Sequence, residues 1–220
     1  MNTKGDRFVL LLTSLVCLLP LIMSLVVYPD LPEQVAIHWD STGNPDNFAP
    51  KALAAFGLPF VFLALNLFSK LKLFNDPKRA YTSQTMQLLT IWLPPVLSVI
   101  LVPITLLIAL GRDIQITLVA PVILGALLII VGNYLPKSRQ NYTIGIKLPW
   151  TLHDPHNWNK THRFAGYLYI LAGIILLARA FIAGNAEVLT GFSLTIVIVI
   201  ILVIAPAIYS YVLFKRQNSK

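Results

Sequence analysis

Apolar residues run through this chain in six long blocks, not in alternation and not in amphipathic stripes. The blocks cover about residues 8–28, 52–68, 88–110, 114–134, 164–183 and 188–214. Each is close to the roughly 20 residues needed to cross a hydrocarbon core about 30 Å thick. Inside a bilayer every backbone amide must find a partner within the protein, which leaves helices or a closed barrel. The blocks lack the period-2 alternation of barrel strands. The pattern therefore predicts an all-α integral membrane protein, a bundle of six transmembrane helices. The third and fourth blocks are separated only by Gly111-Arg112-Asp113, a tight turn between antiparallel helices.

Composition agrees with that reading. The 220 residues are 56% hydrophobic and 12% charged, about half the charged share of a soluble domain. The net charge of +8 is unevenly placed. Fourteen of the 17 Lys and Arg fall in the N-terminal tail (Lys4, Arg7), the segment between spans two and three (Lys70, Lys72, Lys78, Arg79), the segment 135–163 and the C-terminal tail (Lys215, Arg216, Lys220). The opposite side holds Lys51 and Arg112 with six acids, Asp30, Glu33, Asp40, Asp46, Asp113 and Glu187. By the positive-inside rule both termini are cytoplasmic. The charge reads as topology, and direct nucleic-acid binding is not expected. The first block follows Lys4 and Arg7 like a signal peptide, yet no small-residue cleavage site precedes Tyr28-Pro29, and Val16 before Cys17 does not fit a lipoprotein signal; a retained anchor is expected. Cys17, the one cysteine, has no disulfide partner and is read as a small lipid- or helix-facing residue.

Between the fourth and fifth spans lies a polar stretch, LPWTLHDPHNWNKTHRF at 148–164. Asp154-Pro155 starts a helix: an Asp N-cap accepts from free amides, and Pro at the first position loses no useful donor. The helix continues into the fifth span with Trp158 and His162 at i and i+4 on one face. Lys160 and Arg163 fall at headgroup depth, and Trp150 and Trp158 suit the interface. Zinc on His153, His156 and His162 is disfavoured, since His156 and His162 are six apart and face different ways. Catalysis by these His lacks a nucleophile or acid–base partner other than Asp154, which capping already explains.

The outer segment, 29–51, carries Gly43-Asn44-Pro45-Asp46, a turn-forming string. A structured turn lying on the membrane surface through Trp39 and Phe48 is expected; His38 and Asp40 are the side chains there that could ligate a cation. The spans themselves read as free of Asp, Glu, Lys and His, with Arg179 near an end, which counts against ion-coupled transport. Pro94-Pro95, Pro103, Pro121 and Pro206 read as packing kinks, and Asn66 and Asn133 as caps or cross-helix hydrogen bonders. No P-loop, H-E-x-x-H, G-x-S-x-G or dinucleotide fingerprint occurs. No enzyme, cofactor or metal is implied.

Asn133-Tyr134-Leu135-Pro136-Lys137, Asn141-x-x-x-Gly145, Pro149-Trp150-Thr151 and Trp158-x-x-x-His162-Arg163 closely resemble the signature of the SdpI family of bacterial membrane immunity proteins. The outer segment, with Leu31-Pro32, Ile37-His38-Trp39-Asp40, Gly43 and Asp46, resembles the domain of unknown function that precedes the SdpI-like half. The resemblance divides the chain into a two-span region, 1–75, and a four-span region, 86–214, with the motif-bearing loop at 135–163. It implies a multi-pass protein of the bacterial plasma membrane, in contact with membrane lipid, that confers resistance to a secreted sporulation-delay-type peptide. It also implies a second partner, a cytoplasmic winged-helix repressor held at the membrane, with Trp150, Trp158, His162 and Arg163 as the contact residues. The alternative is a transporter or membrane enzyme whose inner-leaflet site would use Asn133, Asn141, His153, His156 and His162.

Overall fold

A computed structural model describes residues 4–40, 42–182 and 188–218; Ala183, Glu187 and Lys220, used above to place span ends and charges, lie outside them. The described helices are α1 (Lys4–Leu18), α2 (Pro20–Val27), α3 (Leu58–Phe74), α4 (Gln84–Ala109), α5 (Ile116–Tyr134), α6 (Pro149–His153), α7 (Pro155–Ile182) and α8 (Val188–Asn218), with a hairpin of β1 (Gln34–Trp39) and β2 (Pro45–Pro50). Six stretches are long and apolar enough to cross a membrane: Lys4–Asp30, Leu53–Phe74, Gln84–Ala109, Ile116–Lys137, Pro155–Phe181 and Thr195–Gln217. The six blocks of the sequence are thus six helical spans. The first is interrupted where α1 gives way to α2 at Leu19–Pro20, a break that Pro20 explains, since it has no N–H to continue the ladder. The chain divides into two compact units, residues 1–75 with 87–115 and residues 76–86 with 116–220.

In the first unit, Leu31, Ala55, Val102 and Leu106 form the apolar core. A π-helical turn at Leu53–Gly57 opens the second span, and Ser24 Oγ of α2 donates to Ala55 O there at 2.6 Å. Polar groups tie α1 to α3. Asn66 Nδ2 donates to Thr13 Oγ1 at 3.2 Å, so Asn66 bonds across helices. Lys70 departs from expectation. It is no loop cation but a member of α3, only 1% exposed, its ammonium donating to Val9 O at 3.0 Å and to Thr13 Oγ1. The span is long enough at its end to carry Lys70 down with it, so the second span contains a charge that its apolar average hides.

The segment 29–51 holds a true hairpin, the one β element among the described residues. Val35 pairs with Ala49 in register, and this pair forms its buried face. The register shifts around Ile37 and again around Asp46, bulges that twist a short two-stranded ribbon.

In the second unit, α5 and α7 approach at backbone distance. A Cβ on Gly132 would lie 2.7 Å from Gly166 O, and one on Gly125 would lie 2.9 Å from Gly173 O. The glycines recur every seven residues on both helices, so two turns of each touch directly. Pro136 packs on Gly166 at the end of this contact, 2.6 Å from a Cβ built there. Ala172 and Leu176 of α7 pack with Ile198 and Leu202 of α8.

Candidate functional site

The motif-bearing loop folds around α7. Asp154 caps that helix, accepting from the His156 and Asn157 amides at 2.9 and 3.0 Å. Burial pushes the Asp154 carboxyl up, but hydrogen bonds from the Gln217 side chain and from the His156 and Asn157 amides outweigh it and hold it below the usual carboxylate range. One turn in, the Trp158 and His162 rings stack 3.9 Å apart at 21°. Both residues are fully buried. The expectation that Trp158 sits at the membrane interface is therefore corrected: its Nε1 donates inward to Ser138 O at 2.7 Å. Trp158 is a core ring because the loop folds back over it.

His162 is engaged at both nitrogens. Its Nε2 lies 2.9 Å from the Ile146 amide, which must donate, so Nε2 is the unprotonated acceptor. The proton is then on Nδ1, which donates to Trp158 O at 2.8 Å. A ring used this way is a neutral bridge between helix and loop and has no lone pair left for a metal. Gly145 closes the assembly with φ +118°; a Cβ at this position would strike His162 Nε2 and lie 3.0 Å from the Trp158 ring. Both the backbone angle and the space call for glycine.

Three further anchors hold the loop. Asn141, fully buried, accepts from the Thr143 and Ile144 amides at 2.9 and 2.6 Å and donates to Ser138 Oγ and Arg139 O. Thr151 accepts from the Leu148 amide and donates to Ile146 O, each at 2.8 to 2.9 Å. The segment before α4 supplies the third: Asp76 accepts from the Tyr142 amide at 2.9 Å and from Thr143 Oγ1 at 2.7 Å, while Lys78 donates to Gln140 Oε1 at 2.7 Å. Gln140 in turn donates to Thr151 O and Leu152 O. Trp150 packs on Tyr211 and Phe214 and donates to Ser210 Oγ at 2.8 Å; Asn157 donates to Ser210 O at 2.8 Å.

Of the sequence-predicted residues, Asn141, Gly145, Trp150, Trp158 and His162 thus come together as one scaffold, with Pro136 against Gly166. Asn133, Lys137, Pro149 and Arg163 are exposed, as are His153 and His156. Among the described residues no three His, Cys, Asp or Glu stand close enough to hold a metal. Sequence reasoning passed over Asp76, Gln140, Asn157 and Ser210. Asp76-Pro77 repeats the Asp-Pro signal of Asp154-Pro155, which was the available clue.

At the hairpin, His38 Nδ1 lies 2.6 Å from Asp46 Oδ1. Asp40 is the turn's organiser, accepting from Thr42 Oγ1, the Thr42 amide and the Asn44 amide at 2.7 to 2.9 Å, and Gly43 takes φ +85°. The Thr42 hydroxyl above all, with the two amides, holds the Asp40 carboxyl below its ordinary range against the opposing effect of desolvation. Trp39 is half-buried, while Ile37 and Phe48 project, 37% and 51% exposed. Lys51 pairs with Glu33 at 2.8 Å at the foot of the hairpin.

Comparison with known proteins gives two family matches and one relative. A family model described as the SdpI/YfhL protein family matches residues 137–210, and the model of a domain of unknown function (DUF1648) matches residues 15–63. The immunity protein SdpI of Bacillus subtilis (strain 168) is 30% identical over 212 residues, covering 94% of this chain and 97% of that protein. No solved structure matches.

Proposed function

The chain belongs to the SdpI/YfhL family of multi-pass membrane proteins, and from that premise we propose that it is an immunity protein, protecting a bacterium against a secreted toxic peptide of the sporulation-delay type. The observation that carries this reading is the near end-to-end match to a protein named for immunity. The cation distribution supports an orientation with both termini in the cytoplasm, which makes the hairpin extracellular. There the exposed Ile37 and Phe48, beside the His38–Asp46 pair, offer an apolar and polar surface to an amphipathic peptide. His38, Trp39, Asp40, Gly43 and Asp46 shape that surface.

The motif loop has a second role in this reading: it presents a stiff cytoplasmic face to a winged-helix repressor. Buried Trp158 and His162 hold the face in shape, with Asn141 and Gly145. Tyr142, Lys147 and His153, which are exposed, make the contact.

The test is survival of a toxin-sensitive, immunity-lacking bacterium that expresses the chain, challenged with a sporulation-delay-type peptide. The parent protects. An Ile37→Ser/Phe48→Ser variant, present in the membrane at parental level, loses protection. If a well-expressed parent protects nothing, immunity to that peptide is rejected.

A further inference from the structure

The second compact unit carries a charge imbalance that its own carboxylates do not correct. Six cations of this unit, Lys78, Lys137, Arg139, Lys147, Lys160 and Arg163, lie in its loop segments and the start of α7, against Asp76 and Asp154. Both acids are spent on neutral donors. Asp76 takes the Lys78 and Tyr142 amides and the Thr143 hydroxyl; Asp154 takes the His156 and Asn157 amides and the Gln217 side chain. Among the described residues, the Lys51–Glu33 and His38–Asp46 pairs both lie in the other unit. Topology alone asks only that cations be present on one side. It does not ask that the nearby carboxylates be engaged by neutral donors and not by these cations.

Three of these cations lie at the ends of stretches long and apolar enough to cross a membrane. Lys137 ends the apolar stretch Ile116–Lys137, and Lys160 and Arg163 fall in the first turns of Pro155–Phe181. All three are exposed. Because Pro136 packs on Gly166, the end of α5 and the start of α7 share one rim, with Lys137 and Arg163 on it. The Lys137 ammonium lies over the Tyr134 ring, 4.6 Å from its centroid, an aromatic partner of the kind found in the interfacial belt. We propose that Lys137, Lys160 and Arg163 form a binding rim for anionic phospholipid headgroups, independent of the immunity reading.

The full chain, purified in detergent, is offered equal phosphatidylglycerol and phosphatidylcholine, and retained lipid is counted by native mass spectrometry. The parent retains phosphatidylglycerol in preference. A Lys137→Gln/Lys160→Gln/Arg163→Gln variant loses that preference by about fivefold per charge removed, whereas Lys147→Gln, farther from the spans, keeps it. Equal retention of the two lipids by the parent, or full preference in the triple variant, overturns the proposal. A second measurement needs no variant: the parent's preference falls as salt rises, and a preference indifferent to salt overturns the headgroup reading. Loss of lipid preference accompanied by capture of polyglutamate would assign the rim to an acidic protein instead.

Discussion

Gly145 concentrates two requirements in one position, a left-handed φ and an absent side chain over the Trp158–His162 stack. Gly145→Ala must strain the backbone and displace His162 from the Ile146 amide. The expected cost is about 2–4 kcal/mol, read as a lower thermal midpoint in detergent and as faster amide exchange at Ile146. Lys70 is the opposite case, a buried ammonium whose partners are neutral acceptors. Replacing such a group by an apolar side chain of similar length is often neutral or stabilising, while removing its acceptor is not. Lys70→Met should therefore leave stability within about 1 kcal/mol of the parent or raise it. Thr13→Val, which strips an acceptor from both Lys70 and Asn66, should cost about 1–3 kcal/mol. Equilibrium unfolding of the two variants side by side decides between these signs.

At the scale of elements, the start of α7 and its packing on α5 dominate. The Asp154 carboxyl sits below its ordinary range in the folded protein, so its capping contribution is complete above the usual carboxylate pKa. It is lost as pH falls through the depressed folded value. Asp154→Asn keeps an acceptor at the cap and should flatten the acid limb of the stability profile below the usual carboxylate pKa, a comparison made by thermal melts at stepped pH. The α5–α7 contact allows no side chain at its crossing points. Gly166→Leu would drive a side chain into Gly132 O and Pro136, and is expected to cost more than the about 1–3 kcal/mol typical of overpacking, since the obstacle is backbone. Failure of the variant to accumulate in membranes, against normal accumulation of a lipid-facing Tyr167→Leu control, would show it.

For the molecule as a whole, the proposed orientation makes a prediction that uses its single cysteine. Cys17 is buried, so added cysteines report alone. Asn44→Cys should react with an impermeant maleimide in intact cells, and His153→Cys only after the cells are opened. The reverse labelling would invert the orientation and with it the assignment of toxin and repressor faces. Much of this architecture was legible beforehand: six apolar runs, the Asp154-Pro155 start, and the i, i+4 placement of Trp158 and His162. Lys70 was misplaced because an average over apolar neighbours cannot show whether a terminal lysine snorkels outward or folds inward. Trp158 was misplaced because a Trp near a span end has two stable homes, and only the return path of residues 138–146 closes one of them.

What the amino-acid order determined alone is whatever depends on local, additive physics. Hydrocarbon length sets the spans, cation bias sets the expected sidedness, and capping chemistry sets the start of α7. What only the tertiary structure decided depends on which distant groups meet. The glycines of α5 and α7 become a contact when they face each other at 7-residue intervals. Asp76 becomes an anchor because the Tyr142 amide, 66 residues on, arrives beside it. His162 becomes a neutral bridge because the Ile146 amide claims its second nitrogen. A hydrogen bond or a steric limit between distant residues has no signature at either residue alone, so the fold had to bring them together first.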